Sequence, residues 1–141
     1  FGFPTALGAK VAHPDKQVVS VTGDGGFMFC ANELATAVHH KINLVTVVFN
    51  DAHFGNVRRN QKLFFDGRHI ADDLSNPDFV KFAESFGAMG LRAESPDALG
   101  AALKQAFKAD VPVLIDVPVG ELPSPWKFVP VGRSMHKDGK D

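Results

Sequence analysis

Two carboxylates stand where chemistry is usually done. In "VVSVTGDGGFMFCANELATAVHHKINLVTVVFNDAHFG", residues 18–55, Asp24 follows one β-like run and Asp51 follows the next, 27 positions later. Gly23, Gly25 and Gly26 surround Asp24. Glycines there permit a tight turn and leave backbone N–H groups uncovered, and a nest of that kind ahead of a helix suits phosphate oxygens. Phosphate beside two carboxylates is repulsive unless a cation lies between them. Mg²⁺ takes oxygen ligands and accepts phosphate as part of its shell. The pattern therefore points to a metal-bridged diphosphate, with the glycines on the phosphates and the aspartates on the metal. Each half also has an ordinary reading. Gly-Asp-Gly is a common strand exit, and Asn50 with Asp51 equally fits an Asx turn that satisfies local backbone groups. Their joint placement favours a ligand and leaves its organic half open.

The surrounding elements must hold these residues side by side. Residues 5–12 read as a small-residue helix, and "HPDKQ" as a turn. Residues 18–21 form a short β-branched run, too apolar for an edge strand facing water. A helix over about 32–40 follows the Gly-rich turn, and "NLVTVVF", residues 43–49, is the strongest strand. In "NPDFVKFAESFGAMG", Asn76 fits a helix cap with Pro77 at the first helical position, and Phe79, Val80, Phe82 and Ala83 form the apolar stripe. Leu91 marks a brief strand, Ser95 and Pro96 start another helix, and residues 111–117 form a last strand. Helices alternating with buried strands predict an α/β fold, an open, doubly wound, mostly parallel sheet with helices on both faces. Residues 56–74 fit neither period and read as an irregular or partly helical excursion. Ligands of such sheets lie outside the carboxyl ends of the strands, where Asp24 and Asp51 fall.

The whole chain sets bounds. Its 141 residues, 45% apolar, suffice for one domain with its own core. Fifteen Lys and Arg against sixteen Asp and Glu leave a charge near −1, which argues against nucleic acid or a membrane surface as partner. Cys30 is the only cysteine, so no intrachain disulfide forms, and a reducing, cytoplasmic compartment is the simple expectation. "FGFPTALGAKVAH" lacks an initiator Met and reads like the middle of a domain, so an N-terminally truncated or processed chain is expected. Residues 1–122 are expected to form the diphosphate- and Mg-binding domain. Residues 123–141 are expected to form a draped C-terminal extension that ends in disorder.

"GDGGFMFCANELATAVHHKINLVTVVFND" strongly resembles the thiamine-diphosphate fingerprint, a Gly-Asp-Gly followed after about two dozen residues by Asn-Asn. The preceding "FGFPTALGAKVAHPDKQVVSVTG" looks like the lead-in of the acetolactate synthase, pyruvate oxidase and benzoylformate decarboxylase group. The resemblance runs from Phe1 to about Val119. It implies thiamine diphosphate and Mg²⁺ as cofactors, with Asp24, Asp51 and the backbone carbonyl of His53 as metal ligands. Gly23, Gly25, Gly26, Asn50, Phe54 and Gly55 would complete the cofactor-binding set. It also implies a 2-oxo acid substrate and acetolactate synthase-like carboligation after decarboxylation. The full-length enzyme would be a homodimer or tetramer with the cofactor at the subunit interface. The family's Glu that contacts the aminopyrimidine lies in a separate domain, so this chain holds no catalytic residue of its own and should be inactive alone. FAD remains open for a full-length protein.

Two departures matter. Asp51 stands where the family commonly has the second Asn; a carboxylate still coordinates Mg²⁺ and adds negative charge. "NVRRN", residues 56–60, replaces the Met-Val-x-Gln-Trp run of plant and bacterial acetolactate synthases, so the resemblance implies the cofactor more firmly than the substrate. Arg58 or Arg59 could hold a substrate carboxylate, with solvated surface arginines as the plain alternative. His53 could turn its imidazole to the substrate or simply pack locally. A 2-oxo acid decarboxylase, an FAD-containing pyruvate oxidase and a non-catalytic phosphate-binding regulatory domain are the rival readings. A dinucleotide fold is disfavoured because "GDGGFM" lacks the third spaced glycine.

Overall fold

The structure is a computed structural model that describes residues 1–121 and Pro123. The expected extension, apart from Pro123, lies outside the described residues. The elements run α1 (Gly2–Ala12), β1 (Val19–Gly23), α2 (Asp24–Met28), α3 (Glu33–His39), β2 (Val45–Asn50), α4 (Gly55–Phe64), α5 (Phe79–Ser85), β3 (Met89–Arg92), α6 (Pro96–Ala106) and β4 (Val113–Pro118). The four strands are all parallel, in the order β1-β2-β4-β3. The expected open α/β sheet with helices on both faces is present.

Topology decides which helix covers which face. The path β1→β2→β3 crosses the sheet in one direction, and β3→β4 turns back. Right-handed crossovers then place the helices of the two legs on opposite faces. One core joins Phe3, Phe27, Leu34, Phe79 and Ala83 to Val48 and Leu114 of the strands. The other joins Ala102 and Ala106 of α6 to Val47, Val113 and Ile115. The central strands β2 and β4 are therefore buried on both sides, as their Val-rich sequences require.

β1 departs from expectation. It is an edge strand, and Val19 and Val21 are exposed although Ser20 is buried. α6 contacts β3 and β4, so the alternate residues of β1 on that face stay open. α1 also starts three residues earlier than its pattern suggested. Phe3 is thereby driven into the core against Phe27 (ring centroids 5.4 Å apart), while Phe1 stays exposed.

Ser95 caps α6 as its Ser-Pro signature predicts, accepting from Ala98 N at 3.1 Å. α5 does not start where expected. Its cap is Asp78, whose Oδ1 accepts from Val80 N and Lys81 N at 3.0 and 3.3 Å, and Asn76 is released for other contacts. The helix closes on Gly87, whose φ of 86° turns the chain into β3.

Candidate functional site

Parallel pairing of β1 with β2 aligns Gly23 with Phe49 and so brings the two motif halves to one edge of the sheet. Gly23 caps α2, and Asp24 is its first residue. The glycine segment is therefore a strand running straight into a helical turn, not an open loop. First-turn amides of a helix lack intrahelical acceptors. The Gly25 N–H, expected to be uncovered, instead donates to Asp24 Oδ1 at 2.8 Å. Gly25 is buried, and a Cβ there would lie 2.4 Å from the Phe54 ring. Gly23 and Gly26 remain exposed.

Asp24 is 2% exposed. Its Oδ2 accepts from Ala52 N at 2.8 Å and from Asn76 Nδ2 at 2.6 Å. The Ala52 bond ties the end of β1 to the turn after β2. Ala52 reaches it from the left-handed region (φ 57°), a conformation few non-glycine residues adopt. Asp51 makes the Asx turn: its Oδ1 accepts from His53 N at 3.1 Å. Its Oδ2 faces Gly55, where a Cβ would come within 2.9 Å. Asn50 Nδ2 donates to Asp116 Oδ1 at 3.1 Å, and Asn50 Oδ1 accepts from Asn76 Nδ2 at 3.0 Å.

The excursion folds back over this edge. α4 forms within it, and the segment behind pairs with the turn through Phe54 N to Asp72 O and Leu74 N to Ala52 O, both 2.8 Å. Buried Asp72 anchors it by accepting from Arg58 Nη1 and contacting His69 Nδ1, each at 3.1 Å. Arg58 Nη1 also donates to Asp73 Oδ1 at 3.1 Å, so the side chain is tied to the acidic pair while it lines a cavity. Arg59 Nη2 donates to Pro123 O at 3.5 Å. The His53 imidazole is occupied at both nitrogens, Nδ1 by the Asp51 carbonyl and Nε2 by Asp73 Oδ1 at 3.2 Å. These contacts orient the ring at the rim of the same cavity, which it also lines. The cavity, of ≈ 360 Å³, opens beside Asp51, His53, Gly55, Arg58, Arg59 and Lys62.

Phe27, which follows the glycines directly, is fully buried among Phe3, Phe79 and Phe82 and pins the segment from below. Phe29 is 81% exposed and stacks on Phe54.

Sequence reading brought Asp24, Asn50, Asp51, His53, Phe54 and the glycines to one place, and the fold assembles them there. It missed Asn76, Asp116, Asp72 and Ala52. Asn76 carried a signal, since Asn-Pro-Asp offers two caps for one helix and the spare one must go elsewhere. Asp116 is a lone carboxylate inside an apolar strand, which also asks for a partner.

Comparison with known proteins now decides the family. Residues 1–117 match the family described as "Thiamine pyrophosphate enzyme, C-terminal TPP binding domain". The chain belongs to this family. Among relatives of the TPP-binding domain, an acetolactate synthase of Bacillus subtilis (strain 168) is 51% identical over 116 residues, 82% of this chain and 20% of that protein. A probable acetolactate synthase large subunit of Methanococcus aeolicus is 41% identical over 136 residues, 96% of this chain and 22% of its own length. A solved thiamine diphosphate-dependent 4-hydroxybenzoylformate decarboxylase from Rhodococcus jostii RHA1 superposes with a TM-score of 0.80 at 33% identity, over 87% of this chain and 23% of that one. The chain thus spans about a fifth to a quarter of the proteins it matches. Among the described residues no helix is long and apolar enough to cross a membrane.

Proposed function

We propose that this TPP-binding domain supplies the diphosphate and Mg²⁺ side of a 2-oxo acid enzyme, with acetolactate synthase-like carboligation as its reaction. The observation that carries the reading is the Asp24 carboxylate. It is buried, takes its hydrogen bonds from neutral donors, and is joined through Ala52 N to the turn that holds Asp51. None of the ion pairs described involves Asp24. A buried charge in this state is costly, and a cation beside it offsets the cost.

The donor set suits Mg²⁺. Asp24, Asp51 and the His53 carbonyl offer oxygen only. Among the described residues no group of three or more His, Cys, Asp or Glu side chains would hold a metal alone. An ion here therefore leans on backbone and diphosphate oxygens, which is how Mg²⁺ is commonly held. Exposed Gly23 and Gly26, with Asn50, Phe54 and Gly55, are proposed to line the diphosphate. Thiamine diphosphate, when bound, supplies the carbanion that adds to the 2-oxo acid and the electron sink for loss of CO₂. This chain's residues bind and orient it.

The aminopyrimidine glutamate is proposed to come from another domain of a homodimer or tetramer in the cytoplasm. The Phe29–Phe54 stack is an apolar rim such a neighbour would cover. FAD, if present, would bind outside this domain. Full-length protein supplied with pyruvate, thiamine diphosphate and Mg²⁺ should yield acetolactate. A second reading, 2-oxo acid decarboxylation, has its own support in the decarboxylase likeness. Acetaldehyde as the sole product would select it. Acetyl phosphate would select the oxidase.

A further inference from the structure

We propose that Asn76 is a positioning residue for the cation site, fixing Asp24 through a hydrogen-bond chain anchored on the Arg92–Asp116 ion pair. The inference rests on the reading of Asp24 as a Mg²⁺ ligand. The chain is continuous. Arg92 Nε donates to Asp116 Oδ2 at 3.1 Å, Asn50 Nδ2 to Asp116 Oδ1 at 3.1 Å, Asn76 Nδ2 to Asn50 Oδ1 at 3.0 Å, and Asn76 Nδ2 to Asp24 Oδ2 at 2.6 Å. It runs from β3 and β4 through β2 to the start of α2.

The ends of the chain dictate its direction. Ionised carboxylates only accept, so Asp116 requires the amide nitrogen of Asn50, and that turns the Asn50 oxygen toward Asn76. Asn76 must then present its own nitrogen, whose second hydrogen goes to Asp24. Arg92 Nε fills the other oxygen of Asp116. Asp116 and Asp24 are each 2% exposed, so neither can trade its partner for bulk water.

The consequence for the site lies in which oxygen is left over. Among the described residues, Asp24 Oδ2 accepts from both Ala52 N and Asn76 Nδ2, whereas Oδ1 accepts only from Gly25 N. A carboxylate oxygen has two lone-pair directions. The remaining one is on Oδ1, and the Asn76 bond sets the carboxylate plane that aims it. Without Asn76 the carboxylate would keep only the Gly25 and Ala52 bonds, one on each oxygen, and its cation-facing orientation would be held less firmly.

The test is a double-mutant cycle on the full-length protein. Calorimetric titration with thiamine diphosphate at graded Mg²⁺ gives the half-saturating Mg²⁺ for cofactor binding. Melting without Mg²⁺ reports folding. Asn76 is half-buried and lies outside the helices and strands, so Asn76→Ala removes no core. It should raise the half-saturating Mg²⁺ about tenfold, the usual loss for an outer partner of a metal ligand, with metal-free melting close to wild type. Asp116→Asn should raise it less, and the double variant should match Asn76→Ala alone, because both act through one chain. Wild-type Mg²⁺ dependence in Asn76→Ala, or effects that multiply in the double variant, would overturn the proposal. Asp24→Asn separates the two levels. If it leaves Mg²⁺ dependence intact, the metal reading fails and the positioning role with it. If Asp24→Asn removes the dependence while Asn76→Ala is silent, only the positioning role fails.

Discussion

Asp24 and Asp51 are both carboxylates at strand ends, yet they are held very differently. Asp24 is buried and accepts three N–H bonds, so its place is set by the fold. Asp51 is half-buried and held by an Asx turn that an amide oxygen would make equally well. If Asp24 is the Mg²⁺ ligand proposed, Asp24→Ala should raise the Mg²⁺ needed for cofactor binding by at least about 100-fold, since a direct ligand matters no less than its outer partners. Asp51→Asn should change it by less than about twofold, within the roughly 0.5 kcal/mol of a neutral swap. Cofactor titrations of the two variants check both. A dead, folded Asp51→Asn protein would mean that the second carboxylate has a role its family position does not describe. The residues that sequence alone could locate are those whose neighbours in the chain betray them: glycines around an aspartate, or an Asn-Asp after a strong strand. Asn76 and Asp116 act on partners 52 and 66 positions away, and no local pattern encodes such a pairing.

Among the elements, the strands were legible because β2 and β4 are buried on both faces and must be runs of Val, Leu and Ile. β1 misled because burial of an edge strand depends on which helix lies over it, a matter of topology and not of composition. α5 misled because two caps competed and tertiary contact chose between them: Arg92 Nη2 also donates to Asp78 Oδ1 at 3.1 Å. α5 packs hard on β3, where a Cβ at Gly90 would meet the Val80 carbonyl oxygen at 2.5 Å and its Cα at 2.8 Å. Backbone cannot yield there without parting helix from strand. Gly90→Ala should therefore cost about 3 kcal/mol, the upper end of overpacking penalties, as read from chemical denaturation.

The Asp78 cap predicts a pH dependence. The Lys81 N–H lowers its carboxyl pKa, burial works against this, and Arg92 and the Val80 N–H lower it further. A lowered folded value means that the cap's contribution is complete above the unfolded pKa and is lost as pH falls through the folded one. Hydrogen exchange across α5, corrected for intrinsic rates, should be faster in Asp78→Ala than in wild type at neutral pH. That difference should close in acid below the folded pKa.

As a whole, the molecule is a two-faced sheet whose carboxyl edge gathers charge of both signs. Asp24 and Asp51 stand at that edge, with the Arg58–Asp72–Asp73 cluster over them and the cavity of ≈ 360 Å³ beside them. Phe27 ties the edge to the main core, so site and fold share one packing unit. Unlike charges attract and like charges repel more strongly where water is scarce, so a diphosphate can approach two carboxylates only with a cation between them. The direct measurement is calorimetric titration of the full-length protein with thiamine diphosphate, with Mg²⁺ and again with the divalent ions chelated. Binding should be tight with Mg²⁺ and at least about 100-fold weaker without it. Equal affinity in the two conditions would contradict the metal-bridged site.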